Sequence, residues 1–186
     1  FMKKKIAILG STGSIGKILL DIIYKDKNKF EIVLLAANKN FKELHEQSKK
    51  FNVKNLIISD KDSYNSLVKL NKNKKTKIFH NFKNFNQIFE NKIDYVMSSI
   101  IGLDGLEPTF KIIKFTKKIA IANKESLICG WNLINKELNK NKTKFIPVDS
   151  EHFSLWFGLH NNYANVEKII LTASGGPFIN LPFNKF

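Results

Sequence analysis

The sequence contains no arginine: its 31 basic residues are all lysine. It also has a single cysteine, four prolines and only 16 acidic residues. Each shortage excludes something. One thiol, Cys129, rules out an internal disulfide and a cysteine metal cluster. Its place in an apolar helical pattern makes it a small core residue, and a reducing, cytoplasmic setting fits. No apolar run approaches the ~20 residues that span a bilayer. The longest, Ile6–Leu9 and Ile32–Ala37, are strand-sized, so no membrane partner is expected. The start, Phe1-Met2-Lys3-Lys4-Lys5, enters a strand directly, without the apolar region of a signal peptide. Phe1 ahead of Met2 reads as the mark of an excised chain.

The net charge of +15 raises a nucleic-acid reading. The segment Lys74–Phe89 mixes Lys, Asn, Phe and His, and Phe can stack on bases. But arginine is the residue that forks onto guanine and phosphate, and it is absent. Lys, Asn, Ile and Phe are over-used together, as AT-rich codons would supply. The excess charge is therefore compositional, and no nucleic-acid partner is expected.

What is present is a globular core: hydrophobic residues make up 43% of the chain. Strand patterns fall at Lys5–Leu9, Glu31–Ala36, Asn55–Ser59, Asp94–Ser99, Lys118–Ala122, Phe145–Val148 and Lys168–Ala173, each rich in Ile or Val or closely flanked by them. Between them lie helical patterns. Ile15, Leu19, Ile22 and Ile23 fall on one helix face. Phe41–Asn52, Lys61–Asn71, Gly105–Thr116, Lys124–Asn141 and Ser150–His160 read similarly. Polar Lys and Asn blur Asn71–Asn91. The alternation implies an α/β fold, Rossmann-like and doubly wound around a mostly parallel sheet. A domain boundary is placed near Asp149: residues 1–149 form a cofactor-binding domain and 150–186 begin a second.

The first strand runs into Gly10-Ser11-Thr12-Gly13-Ser14-Ile15-Gly16 and then a helix, the context that a dinucleotide fingerprint requires. Gly10 allows the tight exit, Gly13 a close approach of backbone to pyrophosphate, and Gly16 close helix–strand packing. Thr12, Ser14 and the amides of the first helical turn would face the anion. The plainer alternative is a turn with Ser14 as helix N-cap. The second strand ends at Ala37-Asn38-Lys39-Asn40, without the acid that usually accepts the ribose hydroxyls of NAD. A cation between two amides suits a 2′-phosphate, so NADP is preferred, although Lys39 also reads as a solvated lysine in a lysine-rich chain.

Pro147-Val148-Asp149-Ser150-Glu151-His152 stands out because acids are scarce. On an extended segment Asp149 and Glu151 would project to one side, forming a site for a hard divalent cation at the catalytic edge of the sheet. Helix capping by Asp149 or Ser150, with Glu151 and His152 in the first turn, is equally open. Two carboxylates are also too few for a tight site. Ala122-Asn123-Lys124-Glu125-Ser126 has the same strand-to-helix placement. Asn123 suits a cap and Glu125 the positive helix end, but Lys124 opposes the dipole, which makes it a functional candidate. Ser174-Gly175-Gly176 is a second glycine-rich strand exit, either an anion site or a turn.

Together the strings GSTGSIG at 10–16, ANKN at 37–40, ANKES at 122–126, PVDSEH at 147–152 and SGGPF at 174–178 resemble the 1-deoxy-D-xylulose-5-phosphate reductoisomerase family. The resemblance covers the whole chain but only about the first half of such an enzyme. It implies NADPH, a divalent metal (Mg²⁺ or Mn²⁺), a small phosphorylated sugar as substrate and, for the full-length enzyme, a homodimer. The family rearranges and reduces the ketose phosphate to 2-C-methyl-D-erythritol 4-phosphate. By position, Thr12, Gly13, Ser14 and Ile15 look like the pyrophosphate loop, and Asn38, Lys39 and Asn40 like the adenosine-phosphate contacts. Asn38 stands where the family often has Gly. Asn123 and Glu125 look like cofactor contacts and Lys124 a substrate contact. Asp149 and Glu151 look like metal ligands, with Ser150, Glu151 and Ser174 touching substrate. The family's third carboxylate ligand and its lid follow SGGPF, so this chain alone is expected to be inactive. Two alternatives remain: an NADP-binding module without catalysis, or another Rossmann oxidoreductase, against which PVDSEH argues.

Overall fold

In the computed structural model, which describes residues 2–159, 166–170 and 182, the chain divides into two units, Phe1–Asp149 and Ser150–Phe186. The first unit is built on seven strands: β1 (Lys4–Leu9), β2 (Phe30–Ala37), β3 (Asn55–Ile58), β4 (Lys77–Phe79), β5 (Tyr95–Ser98), β6 (Lys118–Ile121) and β7 (Lys144–Pro147). Their order is β4-β3-β2-β1-β5-β6-β7. Every pairing is parallel, so the sheet is parallel throughout rather than mostly so. The order reverses beside β1, between the crossovers that lead to β2 and to β5.

The helices of this unit are α1 (Ser14–Lys25), α2 (Phe41–Phe51), α3 (Lys61–Leu70), α4 (Phe85–Ile88), α5 (Leu106–Ile112) and α6 (Lys124–Asn141). Alternation along the strands sends side chains to two cores. Ile6, Ile8, Leu35, Leu56 and Ile58 pack with Leu20, Ile23, Leu44 and Leu67 from α1, α2 and α3. Ala7, Leu9, Leu34, Ile57 and Ile121 pack on the other face with Ile112, Ile134 and Leu138 from α5 and α6. Helices therefore cover both faces of the sheet, as a doubly wound fold requires. The second unit opens with α7 (Ser150–Leu159).

Several expectations are corrected. The polar stretch 71–91 hides the edge strand β4, a 3-10 turn and the short α4. The helix expected over Gly105–Thr116 is α5 flanked by 3-10 turns on both sides. On α1 the buried residues are Gly16, Leu20 and Ile23, whereas Ile22 is 56% exposed. Cys129 is exposed rather than part of the core, because α6 buries Ser126, Gly130, Ile134 and Leu138 instead. The strand expected at Lys168–Ala173 is not one over Lys168–Ile170, and its remainder lies outside the described residues. No described helix is long and apolar enough to cross a membrane.

Candidate dinucleotide site

The turn after β1 is shaped by its glycines. Gly10 has φ +85, and a Cβ there would lie 2.7 Å from the Ser99 carbonyl oxygen. A Cβ on Gly16 would lie 2.4 Å from the Gly10 carbonyl oxygen and 2.6 Å from the Ser11 Cα. The backbone of α1 thus rests directly on the loop. A Cβ on Gly13 would meet only the Gly10 oxygen, at 3.4 Å, so that position is open outward. Gly13, not Ser14, caps α1, and it does so without a side-chain hydrogen bond. Lys17 N–H donates to the Gly13 carbonyl at 2.9 Å. The amides of Ser14, Ile15 and Gly16 precede that bond and have no i−4 partner in the helix, so they form a positive end suited to an anion.

The loop is anchored on both sides. Gly10 and Ser11 N–H both donate to the Ala36 carbonyl of β2, each at 2.9 Å. Ser99, at the exit of β5, donates from its amide to the Leu9 carbonyl at 2.9 Å and from its hydroxyl at 2.8 Å. The glycine turn therefore sits at the C-terminal edge of the sheet, where the strand order reverses and open α/β sheets bind ligands.

A cleft of about 790 Å³ opens there. Gly10, Thr12, Gly13, Asn38 and Lys39 line one side, and Ser59, Asp60, Phe82, Ile101, Leu103 and Pro108 line the rest. A smaller cavity of about 270 Å³ is lined by Ile15, Ala122, Asn123, Lys124, Glu125 and Asp149. Ser99, Ile100 and Ile101 line both. The structure thus gathers Thr12, Gly13, Asn38 and Lys39 in one cavity and Ile15, Asn123, Lys124, Glu125 and Asp149 in the adjoining one.

Asn40 and Asn123 have structural duties of their own. Asn40 caps α2, accepting from Glu43 N–H at 3.3 Å and donating to its carboxylate at 2.7 Å. Asn123 is buried, accepts from Ser126 N–H at 2.8 Å, and donates to the carbonyls of Ile100 and Gly102. Its amide therefore caps α6 and pins the β5 loop, with both Nδ2 hydrogens engaged. Ser14 is exposed on the first turn of α1.

β7 ends at Pro147 and α7 begins at Ser150. Asp149 and Glu151 are therefore not neighbours on one extended segment: Glu151 and His152 occupy the first turn of a helix, and Ser150 and Glu151 are exposed. No group of three metal-binding side chains occurs among the described residues. Ser174 lies outside the described residues.

Sequence reading missed the far wall of the cleft. Asp60 follows β3, caps α3 and lies near Lys39. The amide and hydroxyl of Ser63 hold its carboxyl below the ordinary carboxylate range, and the Lys39 cation acts in the same direction. The loop 99–103 follows β5, so scanning strand exits would have found both segments. Phe82 lies in the blurred stretch and left no signal.

Strand order, glycine turn and a cleft at the reversal point define a dinucleotide-binding α/β protein. A family model described as 1-deoxy-D-xylulose 5-phosphate reductoisomerase matches residues 6–130, and its C-terminal domain model matches residues 145–186. The chain belongs to the 1-deoxy-D-xylulose 5-phosphate reductoisomerase family. The enzyme of that name from Pelagibacter ubique (strain HTCC1062) is 62% identical over 186 residues, which span 98% of this chain and 48% of the relative. That from Wolbachia pipientis subsp. Culex pipiens is 41% identical over 178 residues, 95% and 46% respectively. Among solved structures, the Zymomonas mobilis enzyme in complex with NADPH superposes with a TM-score of 0.85 at 33% identity, covering 100% of this chain and 49% of that one. A reductoisomerase in complex with NADPH, fosmidomycin and magnesium gives 0.80 at 28% identity, covering 98% and 48%. The chain thus spans about half the length of the relatives it matches.

Proposed function

We propose that this chain supplies the NADPH-binding domain, over residues 1–149, of a cytoplasmic reductoisomerase that converts 1-deoxy-D-xylulose 5-phosphate to 2-C-methyl-D-erythritol 4-phosphate in isoprenoid synthesis. Residues 150–186 begin its catalytic domain, and the whole enzyme is a homodimer. The observation that carries the reading is the cleft at the strand reversal, with the glycine loop at one end and Lys39 further along its wall. The residues fit the cofactor. Gly13 leaves room for a pyrophosphate against the backbone. Lys39 and Asn38 suit a 2′-phosphate, and no acid stands at the end of β2 to favour an unphosphorylated ribose. Ile101 and Leu103, 86% and 60% exposed, give the cleft apolar surface for the flat rings.

Asp149 and Glu151 would supply two carboxylates to Mg²⁺ or Mn²⁺, both hard cations that favour oxygen ligands. When bound, NADPH supplies a hydride and the cation supplies Lewis acidity and a template for two substrate oxygens. Lys124 projects from the positive end of α6 and would hold an anionic substrate group, with Ser150 and Ser174 orienting its polar atoms. Glu125, in the same first turn, would accept from the cofactor. Asn123 would act through the loop it pins, keeping Ile100–Gly102 against the cofactor.

Titration of this chain should show tighter binding of NADPH than of NADH. Lys39→Ala should weaken NADPH about tenfold and leave NADH unchanged. That is near the low end of a charge-assisted hydrogen bond, because Lys39 is exposed and screened. Equal affinity for the two cofactors in the parent chain would remove the NADP assignment.

A further inference from the structure

The Lys39 turn and the glycine loop belong to different crossovers, yet α2 ties them together through polar side chains. Gln47 is 8% exposed. Its Nε2 donates to the Ser11 carbonyl, inside the glycine loop, at 3.1 Å in a buried contact. The same Nε2 lies 3.5 Å from Glu43 Oε1. Both neighbours are acceptors, which sets the orientation of the amide. Its Oε1 is buried without a hydrogen-bond partner. Glu43 in turn pairs with Lys17 of α1 at 2.8 Å and accepts from Asn40, next to Lys39, at 2.7 Å. One continuous chain therefore runs from Ser11 through Gln47 and Glu43 to Asn40, with a branch to α1.

From this geometry we infer that Gln47 is a positioning residue for the cofactor. It holds the glycine loop in the shape that presents the Thr12 amide and the first turn of α1 to the pyrophosphate. The inference rests on the dinucleotide reading of the cleft. The chemistry is specific. The Ser11 carbonyl must turn inward for the N–H of the same peptide, that of Thr12, to face outward, and a buried donor keeps it there. A hydrophobic residue would fill the same space but leave that carbonyl buried and unpaired by the side chain, so the peptide could rotate toward water. Gln47 does not reach the cleft, since it is absent from the cleft lining.

The test uses this chain with NADPH and NADH as probes. Gln47→Met keeps the size and unbranched shape but removes the donor. Gln47→Glu keeps the shape and presents an acceptor to the Ser11 carbonyl. Each variant should lose roughly tenfold in affinity, by the same factor for NADPH and NADH, because the pyrophosphate is common to both. Lys39→Ala should lose affinity for NADPH alone. A purely structural role would lower the melting temperature and leave the affinities of the folded protein intact. Unchanged affinities in either folded variant, or a loss confined to NADPH, would overturn the inference. If the parent chain binds neither cofactor, the reading of the cleft itself falls. If the parent binds and the Gln47 variants bind equally well, only the positioning role is lost.

Discussion

Gly16→Ala should abolish measurable NADPH binding and destabilise the protein by about 3 kcal/mol, the upper part of the range for overpacking a rigid site. The added Cβ would meet the Gly10 oxygen at 2.4 Å, the Ser11 Cα at 2.6 Å and the Ser11 oxygen at 2.7 Å. All three are backbone atoms, so no side chain can swing away. Either α1 lifts from β1, dragging Leu20 and Ile23 from the core, or the glycine loop unfolds. Gly13→Ala separates the two consequences. Its Cβ would meet only one oxygen, at 3.4 Å, so the fold should survive while the methyl group stands where the pyrophosphate would lie. Thermal unfolding and NADPH titration of the two variants read this directly. A Gly16→Ala protein that melts and binds like the parent would mean that the loop is not a phosphate cradle.

The glycine loop was legible from sequence because every part of its signal is local. A β-branched run, three glycines and an amphipathic helix lie within about 20 consecutive residues. The six strands of the first unit that were foreseen share this property, since burial on both faces leaves short, almost continuous apolar runs. β4 escaped because it has only three residues, and they sit among lysines and asparagines. Ile22 and Cys129 were misplaced for a different reason. Helical periodicity identifies an apolar stripe but not which part of it the sheet covers, and α6 leaves Ile128, Trp131 and Leu133 exposed as well. The capping role of Asn123 was legible, but its hold on the β5 loop and the role of Gln47 were not. Each side chain binds backbone carbonyls more than 20 residues away, at Ile100 and at Ser11, and a carbonyl has no letter in the sequence. Lys124 stood out for the opposite reason, because a cation breaks a local rule at a helix N-terminus.

The acidic pair at the end of β7 carries the other large prediction, and the fold makes its test sharper. Asp149 lines the cavity that also holds Lys124, Glu125 and Ile15, while Glu151 stands in the first turn of α7. An acid there is also what a helix end prefers, and that interaction contributes only about 0.3–1 kcal/mol at an exposed site. Asp149→Asn and Glu151→Gln keep size and hydrogen-bonding capacity while removing charge. If both residues serve the helix, each variant of the full-length enzyme should lose a fraction of a kcal/mol and keep its turnover. If both are ligands, the loss must exceed what outer-shell changes cost in metal sites, about 10- to 100-fold, because a ligand charge itself is gone. Turnover should then fall by more than about a hundredfold, with partial recovery at high Mg²⁺ or Mn²⁺. NADPH affinity should change far less than turnover, since the larger cleft that holds the glycine loop and Lys39 is built from the exits of β1, β2, β3 and β5 rather than from β7. Activity retained in both variants at ordinary metal concentration would assign the two carboxylates to the helix and send the search for metal ligands elsewhere in the chain.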